Sequence, residues 1–195
     1  MYNKGFSSAQ IAESLCMSVS GINYHLRILG VEKRNISEAI TVLNKIKFGK
    51  KPFVLKTNLT KQEFNLKITG IMLYWGEGAK TGNGVVFSNS NPEMIKIFMR
   101  FLRRVCGISE ERLRLQLHAY ENHNVNKLCT YWSDITGIPT NQFQKTYIHK
   151  KKPGTYKKIS KYGTVSIRYS DKELLSIILD WIQDIIKNKE NILPQ

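Results

Sequence analysis

The chain has 195 residues, of which 30 are Lys or Arg and 15 are Asp or Glu, so its formal net charge is +15. One or two domains fit this length, and a hydrophobic fraction of 42% with 10% aromatic residues is enough for a packed core, which excludes a disordered chain. No run reaches the roughly 18 apolar residues of a membrane span, and no signal-peptide core is present, so we expect a cytoplasmic protein without a membrane partner. Cys16, Cys106 and Cys129 form no CxxC motif, which excludes a zinc finger and a disulfide scaffold.

Two short helices joined by a tight turn are predicted at the N-terminus. Ser7 or Ser8 can cap a helix over Ala9–Leu15, which places Ile11, Ala12 and Leu15 on one face. Ser18 or Ser20 can cap a second helix that runs through Leu29 and ends at Gly30, with Ile22, Leu26 and Leu29 inward. The second helix would expose polar side chains suited to base edges in a major groove, namely Ser20, Asn23, Tyr24 and Arg27. The segment resembles the helix-turn-helix of resolvase-type bacterial regulators, except that Cys16 stands where glycine is usual in the turn. An ordinary helical hairpin is the alternative.

A third helix and a linker are predicted next. Ser37–Lys47 has the apolar spacing of a helix that packs through Ile40, Leu43 and Ile46. Gly49 and Pro52 then interrupt a Lys-rich stretch. We therefore predict a helix-turn-helix domain over 1–47, a basic linker over 48–59 and a larger α/β domain over 60–195.

The larger domain alternates between helices and strands. Thr60 and Glu63 form a capping box that opens a helix to about Trp75. The elements that follow are short strands around Gly84–Ser90, a helix over Pro92–Val105, a strand over Leu113–Leu117, a helix over Val125–Thr136, strands over Phe143–Ile148 and Gly163–Arg168, and a helix over Lys172–Ile186. We predict an α+β fold in which the helices cover one face of a mixed or antiparallel sheet and leave the other face open.

Basic residues cluster along the chain. No acid occurs over residues 135–170, or over residues 39–62. A solvated face explains either run alone, whereas two such runs favour a surface that follows the phosphates of nucleic acid. From the strands and the basic run, the side chains expected to contact double-stranded DNA are Arg112, Arg114, Gln116, Gln144, Lys145, Lys150, Lys151, Lys152 and Arg168.

An apolar helix with an acid at its end occupies residues 68–80. Gly70 and Gly76 are small residues that allow two helix backbones to approach closely. Glu77 falls at the helix C-terminus, where the negative end of the helix dipole destabilises a carboxylate unless a cation is near. Such an acid indicates a metal-binding position, and an exposed turn residue is the alternative.

The run from Gly70 to Gly78 resembles the LAGLIDADG motif of homing endonucleases, with Glu77 at the metal-binding acid. The order of elements over residues 60–187 is also similar to that fold, apart from the extra helix over Val125–Thr136. The resemblance implies a sequence-specific, nucleoid-associated endonuclease that hydrolyses DNA phosphodiesters with Mg²⁺ or Mn²⁺. It further implies that Glu77 ligates the metal, that Lys80 assists at the phosphate, and that a homodimer through the Gly70–Gly76 helix supplies the second acid.

Three alternatives remain at this point. If residues 125–187 are a degenerate second repeat, Thr136 stands where a second acid is needed, and the protein is a non-catalytic DNA-binding transcriptional regulator. An RNA-binding role is a further alternative. His118 and His123 could bind a metal, although a pair at the end of a strand is the more ordinary interpretation, and His149 is expected to contact DNA.

Overall fold

The computed structural model describes residues 1–49, 51–150 and 160–187. This part of the chain is α+β, with seven α-helices and one four-stranded mixed sheet. The helices are α1 (Ser8–Ser14), α2 (Val19–Ile28), α3 (Ile36–Phe48), α4 (Lys61–Glu77), α5 (Pro92–Arg104), α6 (Val125–Thr136) and α7 (Lys172–Lys187). The strands are β1 (Val85–Asn89), β2 (Leu113–Tyr120), β3 (Phe143–His149) and β4 (Thr164–Tyr169).

The chain divides into two compact units, Met1–Lys51 and Pro52–Gln195. The division falls inside the predicted linker, but residues 53–56 of that linker are part of the second unit. The Val54 N–H donates to the Gly107 carbonyl and the Lys56 N–H to the Val105 carbonyl, each at 3.0 Å. The predicted linker over 48–59 is therefore too long at its C-terminal end.

The first unit is built on the α1–turn–α2 hairpin. Ser7 and Gln10 form a capping box that starts α1, and the Ser18 hydroxyl accepts the Gly21 N–H at 3.0 Å to start α2. Between them, Cys16 has φ 51°, the left-handed conformation that glycine adopts most easily. The buried core is small and consists of Ile11, Ala12, Ile22 and Leu26.

Several residues predicted to pack in this unit are exposed instead. Leu15 and Leu29 lie at the ends of α1 and α2, beyond the point where the two helices cover each other. The predicted packing residues of α3, Ile40, Leu43 and Ile46, are also exposed. Among the α3 residues whose burial the structure describes, Ala39 and Val42 are half-buried. The helix over this segment was predicted correctly, but its buried face is rotated from the predicted face.

The sheet has the order β1-β4-β2-β3. The β1–β4 and β4–β2 pairs are antiparallel, whereas β2 and β3 are parallel. A parallel pair requires a long crossover, and α6 supplies it. The crossover through α6 is therefore the reason that the sheet is mixed.

One sheet face is covered by helices and the other is open. Leu113, Leu115, Leu117 and Ala119 of β2 are fully buried in the core that also contains the inner faces of α4, α5 and α7. The intervening residues of β2 are only half-buried, so burial alternates strictly along the strand. Burial along β2 therefore agrees with the prediction that helices cover one face of the sheet and leave the other face open.

Candidate nucleic-acid interface

The outward side of α2 carries the four predicted reader residues. Ser20, Tyr24 and Arg27 are exposed and Asn23 is half-buried, while Ile22 and Leu26 fix the opposite side of the helix in the core. All four line one open groove, which continues along residues 30–33. The Arg27 guanidinium stands 5.5 Å from the centre of the Tyr24 ring. The structure thus brings the predicted set together on a single surface.

The open sheet face carries rows of polar residues that run across the strands. The register pairs Ser88 with Ser166, Ser166 with Gln116, and Gln116 with Gln144, which makes one row over all four strands. The Ser88 and Ser166 hydroxyl groups are hydrogen-bonded at 2.7 Å. Ser166 is buried, so the accessible groups of the row are Ser88, Gln116 and Gln144. Their hydroxyl and amide groups can both donate and accept, as contacts to base edges require.

The adjacent row places two arginines directly opposite each other. Arg114 on β2 pairs with Arg168 on β4, and neither is fully buried. Arg168 donates from Nη2 to Oε1 of Gln116 at 2.9 Å, while its buried Nε has no hydrogen-bond partner in the described part of the chain. Arg114 donates to the main-chain carbonyls of Glu111 and Leu113. Like charges directly opposite on a sheet are destabilising, so this pair favours an anion on the open face.

The other end of the open face is aromatic. His118 Nδ1 and His149 Nε2 lie 3.3 Å apart, and the ring centres of Tyr147 and His149 are separated by 4.6 Å. Tyr120 is 5.7 Å from His149 by ring centre. Burial lowers the pKa of His118, and the charges of His149 and Arg168 lower it further.

These positions change the interpretation of two sequence features. His118 pairs with His149 and not with His123, whose Nδ1 accepts the Tyr120 N–H. Tyr120 and Tyr147 were not expected on the open face. Extending the two-residue period of β2 beyond Leu117 would have placed Tyr120 there, whereas Tyr147 follows a register irregularity that no sequence pattern reveals.

The remaining predicted contacts divide into three groups. Gln144 and Lys145 are exposed on β3, and Lys150 is exposed directly after it. Arg112 is not on this surface, because its side chain is only 10% exposed. It forms a 3.7 Å ion pair with Asp171 and donates to the Ser170 carbonyl, which is an internal role in place of the predicted DNA contact. The predicted contacts Lys151 and Lys152 lie outside the described residues.

Glu77 is the last residue of α4 and is exposed. Its carboxylate has no hydrogen-bond or ion-pair partner among the described residues. Lys80 follows in the turn before β1 and donates from Nζ to the Gly78 carbonyl at 2.6 Å, not to Glu77. Thr136 is buried, with its hydroxyl donating to the Trp132 carbonyl, so it offers no second ligand.

A single chain does not fit a resident metal ion. Within residues 1–49, 51–150 and 160–187, no group of three His, Cys, Asp or Glu side chains could hold one. Mg²⁺ is bound through one or two carboxylates together with water and substrate phosphates, and Glu77 supplies one carboxylate.

The outward face of α4 is apolar. Phe64, Ile68, Met72 and Trp75 are exposed at spacings of four, four and three residues, which places them on one stripe of the helix. A Cβ atom added at Gly76 would meet no atom of another element within 4 Å, whereas Gly70 lies against Phe101 of α5. Gly70 therefore serves the packing of α4 on α5 inside the unit, and the predicted Gly70–Gly76 contact face does not exist as one surface.

Comparisons with protein-family models, with curated proteins and with solved structures found no match to this chain. In the part of the chain that the structure describes, no helix is long and apolar enough to cross a membrane.

Proposed function

We propose that this chain is a sequence-specific, double-stranded DNA-binding protein that contacts DNA through α2 and through the open face of the sheet. The observation that carries the proposal is the opposed Arg114–Arg168 pair, for which the described residues offer no acidic partner. A phosphate bound to the two guanidinium groups would offset their like-charge repulsion. The net charge of +15 supplies the long-range attraction for a polyanion.

The polar row beside the arginines supports recognition of sequence. Arginine can form two hydrogen bonds with guanine, glutamine can do so with adenine, and serine can bond to several bases. Arg168, Gln116 and Gln144 lie in adjacent positions of the open face, and Gln116 holds the Arg168 guanidinium through one hydrogen bond. On α2, Asn23 and Arg27 offer the same chemistry from a helix.

The proposal is tested by measuring duplex affinity against salt concentration for the full chain. Each phosphate contact contributes roughly 0.9 to the slope of log affinity against log salt. Arg168→Gln should reduce this slope by about one and weaken binding. The matched control is Arg100→Gln, which removes the same charge from the exposed side of α5 on the helical layer. Equal effects of the two substitutions would contradict a role for the open face.

A metal-dependent DNA endonuclease is a second candidate, favoured by the exposed, unpartnered Glu77 at the end of the apolar face of α4. If two copies pack through the stripe of Phe64, Ile68, Met72 and Trp75 with their α4 helices parallel, two Glu77 carboxylates come to the same end of the paired helices. Together with substrate phosphates they could hold Mg²⁺ or Mn²⁺. A DNA-binding regulator without cleavage activity remains the alternative.

Cleavage of supercoiled plasmid in Mg²⁺ and Mn²⁺ separates these candidates. The endonuclease candidate predicts nicking or cutting that disappears in Glu77→Gln and persists in Glu173→Gln, a control at an exposed acid of α7. It also predicts a dimer in sedimentation equilibrium that Met72→Asp converts to monomer. A monomer that binds duplex DNA without cutting it supports the regulator.

A further inference from the structure

A cluster of rings at one end of the open sheet face is not explained by contacts to duplex DNA. We call Tyr120, His118, Tyr147 and His149 the aromatic patch. Its members come from two neighbouring parallel strands, β2 and β3, whose register pairs His118 with Tyr147 and Tyr120 with His149. Tyr147 is 57% exposed and lies on the edge strand β3.

Contacts among the rings hold the patch in place. The His118–His149 contact of 3.3 Å joins the two strands through their side chains. The ring centres of His118 and Tyr147 are 5.8 Å apart, and those of Tyr147 and His149 are 4.6 Å apart. The exposed Tyr147 ring is therefore supported by two histidines, so little conformational freedom remains to be lost when a ligand stacks on it.

The charge around the patch selects an anionic ligand. Lys145 precedes Tyr147 on the same strand, Lys150 follows His149, and both are exposed. Residues 135–170 contain no acid. An exposed ring beside cations is the combination with which proteins hold single-stranded nucleic acid, because the backbone is attracted by charge and a base stacks on the ring.

A paired base in a duplex does not fit this combination. Its two faces are covered by neighbouring base pairs, and only its edges reach the grooves. The patch offers ring surface, whereas Ser88, Gln116 and Gln144 of the polar row offer the donors and acceptors that edges require. The two ends of the open face are thus suited to different parts of a nucleic acid.

We propose that the aromatic patch binds one unpaired nucleobase by stacking on Tyr147, next to the duplex-binding part of the same sheet face. One base is the expected number because only one ring of the patch is largely exposed. This inference rests on the proposed function, since it assumes that the remainder of the open face contacts DNA.

The test compares three fluorescent DNA probes with the full chain: a flush duplex, the same duplex with one bulged nucleotide, and a single strand. We expect the bulged duplex to bind about tenfold more tightly than the flush duplex. Tyr147→Ala should abolish this preference and leave flush-duplex affinity unchanged, whereas Tyr147→Phe should retain it. Because Tyr147 is exposed, the alanine variant should unfold at the wild-type temperature.

The outcomes separate this inference from the proposed function. Equal affinity of the wild type for flush and bulged duplexes overturns the inference and leaves duplex binding intact. If the flush duplex does not bind, the proposed function fails, and the single-stranded probe then decides the inference. Single-strand affinity that Tyr147→Ala reduces supports the patch, and affinity that is absent or unaffected by the substitution refutes it.

Discussion

Gly70 and Gly76 occupy the same helix but differ completely in their surroundings, which makes them a matched pair for substitution by alanine. A Cβ atom at Gly70 would lie 2.2 Å from Cγ and 2.7 Å from Cβ of Phe101. A Cβ atom at Gly76 would meet no atom within 4 Å. We predict that Gly70→Ala destabilises the second unit and that Gly76→Ala stabilises it.

The magnitude follows from two opposing contributions. Carbon atoms in contact normally lie about 3.5–4.0 Å apart, so α5 would have to move by more than about 1 Å. A new rotamer of Phe101 does not relieve the overlap, because its Cβ is also too close. Overpacking of this kind costs up to about 3 kcal/mol, and alanine gains about 1 kcal/mol over glycine in a helix, which leaves about 2 kcal/mol of destabilisation. At Gly76 only the favourable contribution of at most about 1 kcal/mol remains.

Thermal unfolding followed by circular dichroism measures both changes. About 3 °C per kcal/mol is expected for a domain of this size, so the midpoint should fall by about 6 °C for Gly70→Ala and rise by up to about 3 °C for Gly76→Ala. Phe101→Ala should cost less in the Gly70→Ala background than in the wild type, because it removes part of the overlap. A Gly70→Ala variant as stable as the wild type would refute the α4–α5 packing described here.

Three further predictions concern individual contacts. The Lys56 ammonium donates a hydrogen bond to Glu63 at 2.6 Å, and together with the Thr60 N–H it lowers the pKa of Glu63 from 4.5 to about 2. The stability that these contacts give the fold is therefore complete above pH 4.5 and is lost as the pH falls through about 2. Glu63→Gln should flatten the acid unfolding curve over this interval, and an unchanged curve would contradict the contact. Because φ is positive at Cys16, Cys16→Gly should stabilise the first unit by about 1 kcal/mol in thermal unfolding, and Cys16→Val should destabilise it. A valine variant more stable than the glycine variant would show a different turn. The two terminal nitrogens of the Arg34 guanidinium donate to the carbonyls of Tyr2, Gly5 and Phe6. Arg34→Ala should therefore destabilise the first unit by about 2 kcal/mol in urea unfolding. Full rescue by Arg34→Lys would contradict a role for this two-nitrogen geometry, which lysine cannot reproduce.

Local sequence signals predicted the elements well where caps and period agreed. The helix over Val125–Thr136 has the predicted bounds, because Asn124 caps its start and Gly137 ends it with a left-handed φ of 68°. Strict alternation predicted the two faces of β2, and the structure extends that strand from Leu117 to Tyr120. In each case, the determinants lie within a few residues of the element.

Features set by distant contacts were not predictable from the sequence. Arg112 and Arg168 look alike as bases in a basic domain, but only the fold brings Asp171 to Arg112 and leaves the Nε of Arg168 without a partner. Likewise, the glycine spacing of α4 did not reveal that Gly70 faces Phe101 while the stripe with Met72 faces outward. Helical period indicates that two faces exist, but not which neighbour each one meets.

Selection of bound duplexes from a random library by the full chain tests the central claim most directly. The account predicts enrichment of a recurring sequence, and it predicts that Asn23→Ala and Gln116→Ala each relax the preference at some positions while Arg100→Gln leaves it unchanged. A pool that stays random, or an enriched sequence that neither of the two alanine variants alters, would contradict DNA recognition by α2 and the open face of the sheet.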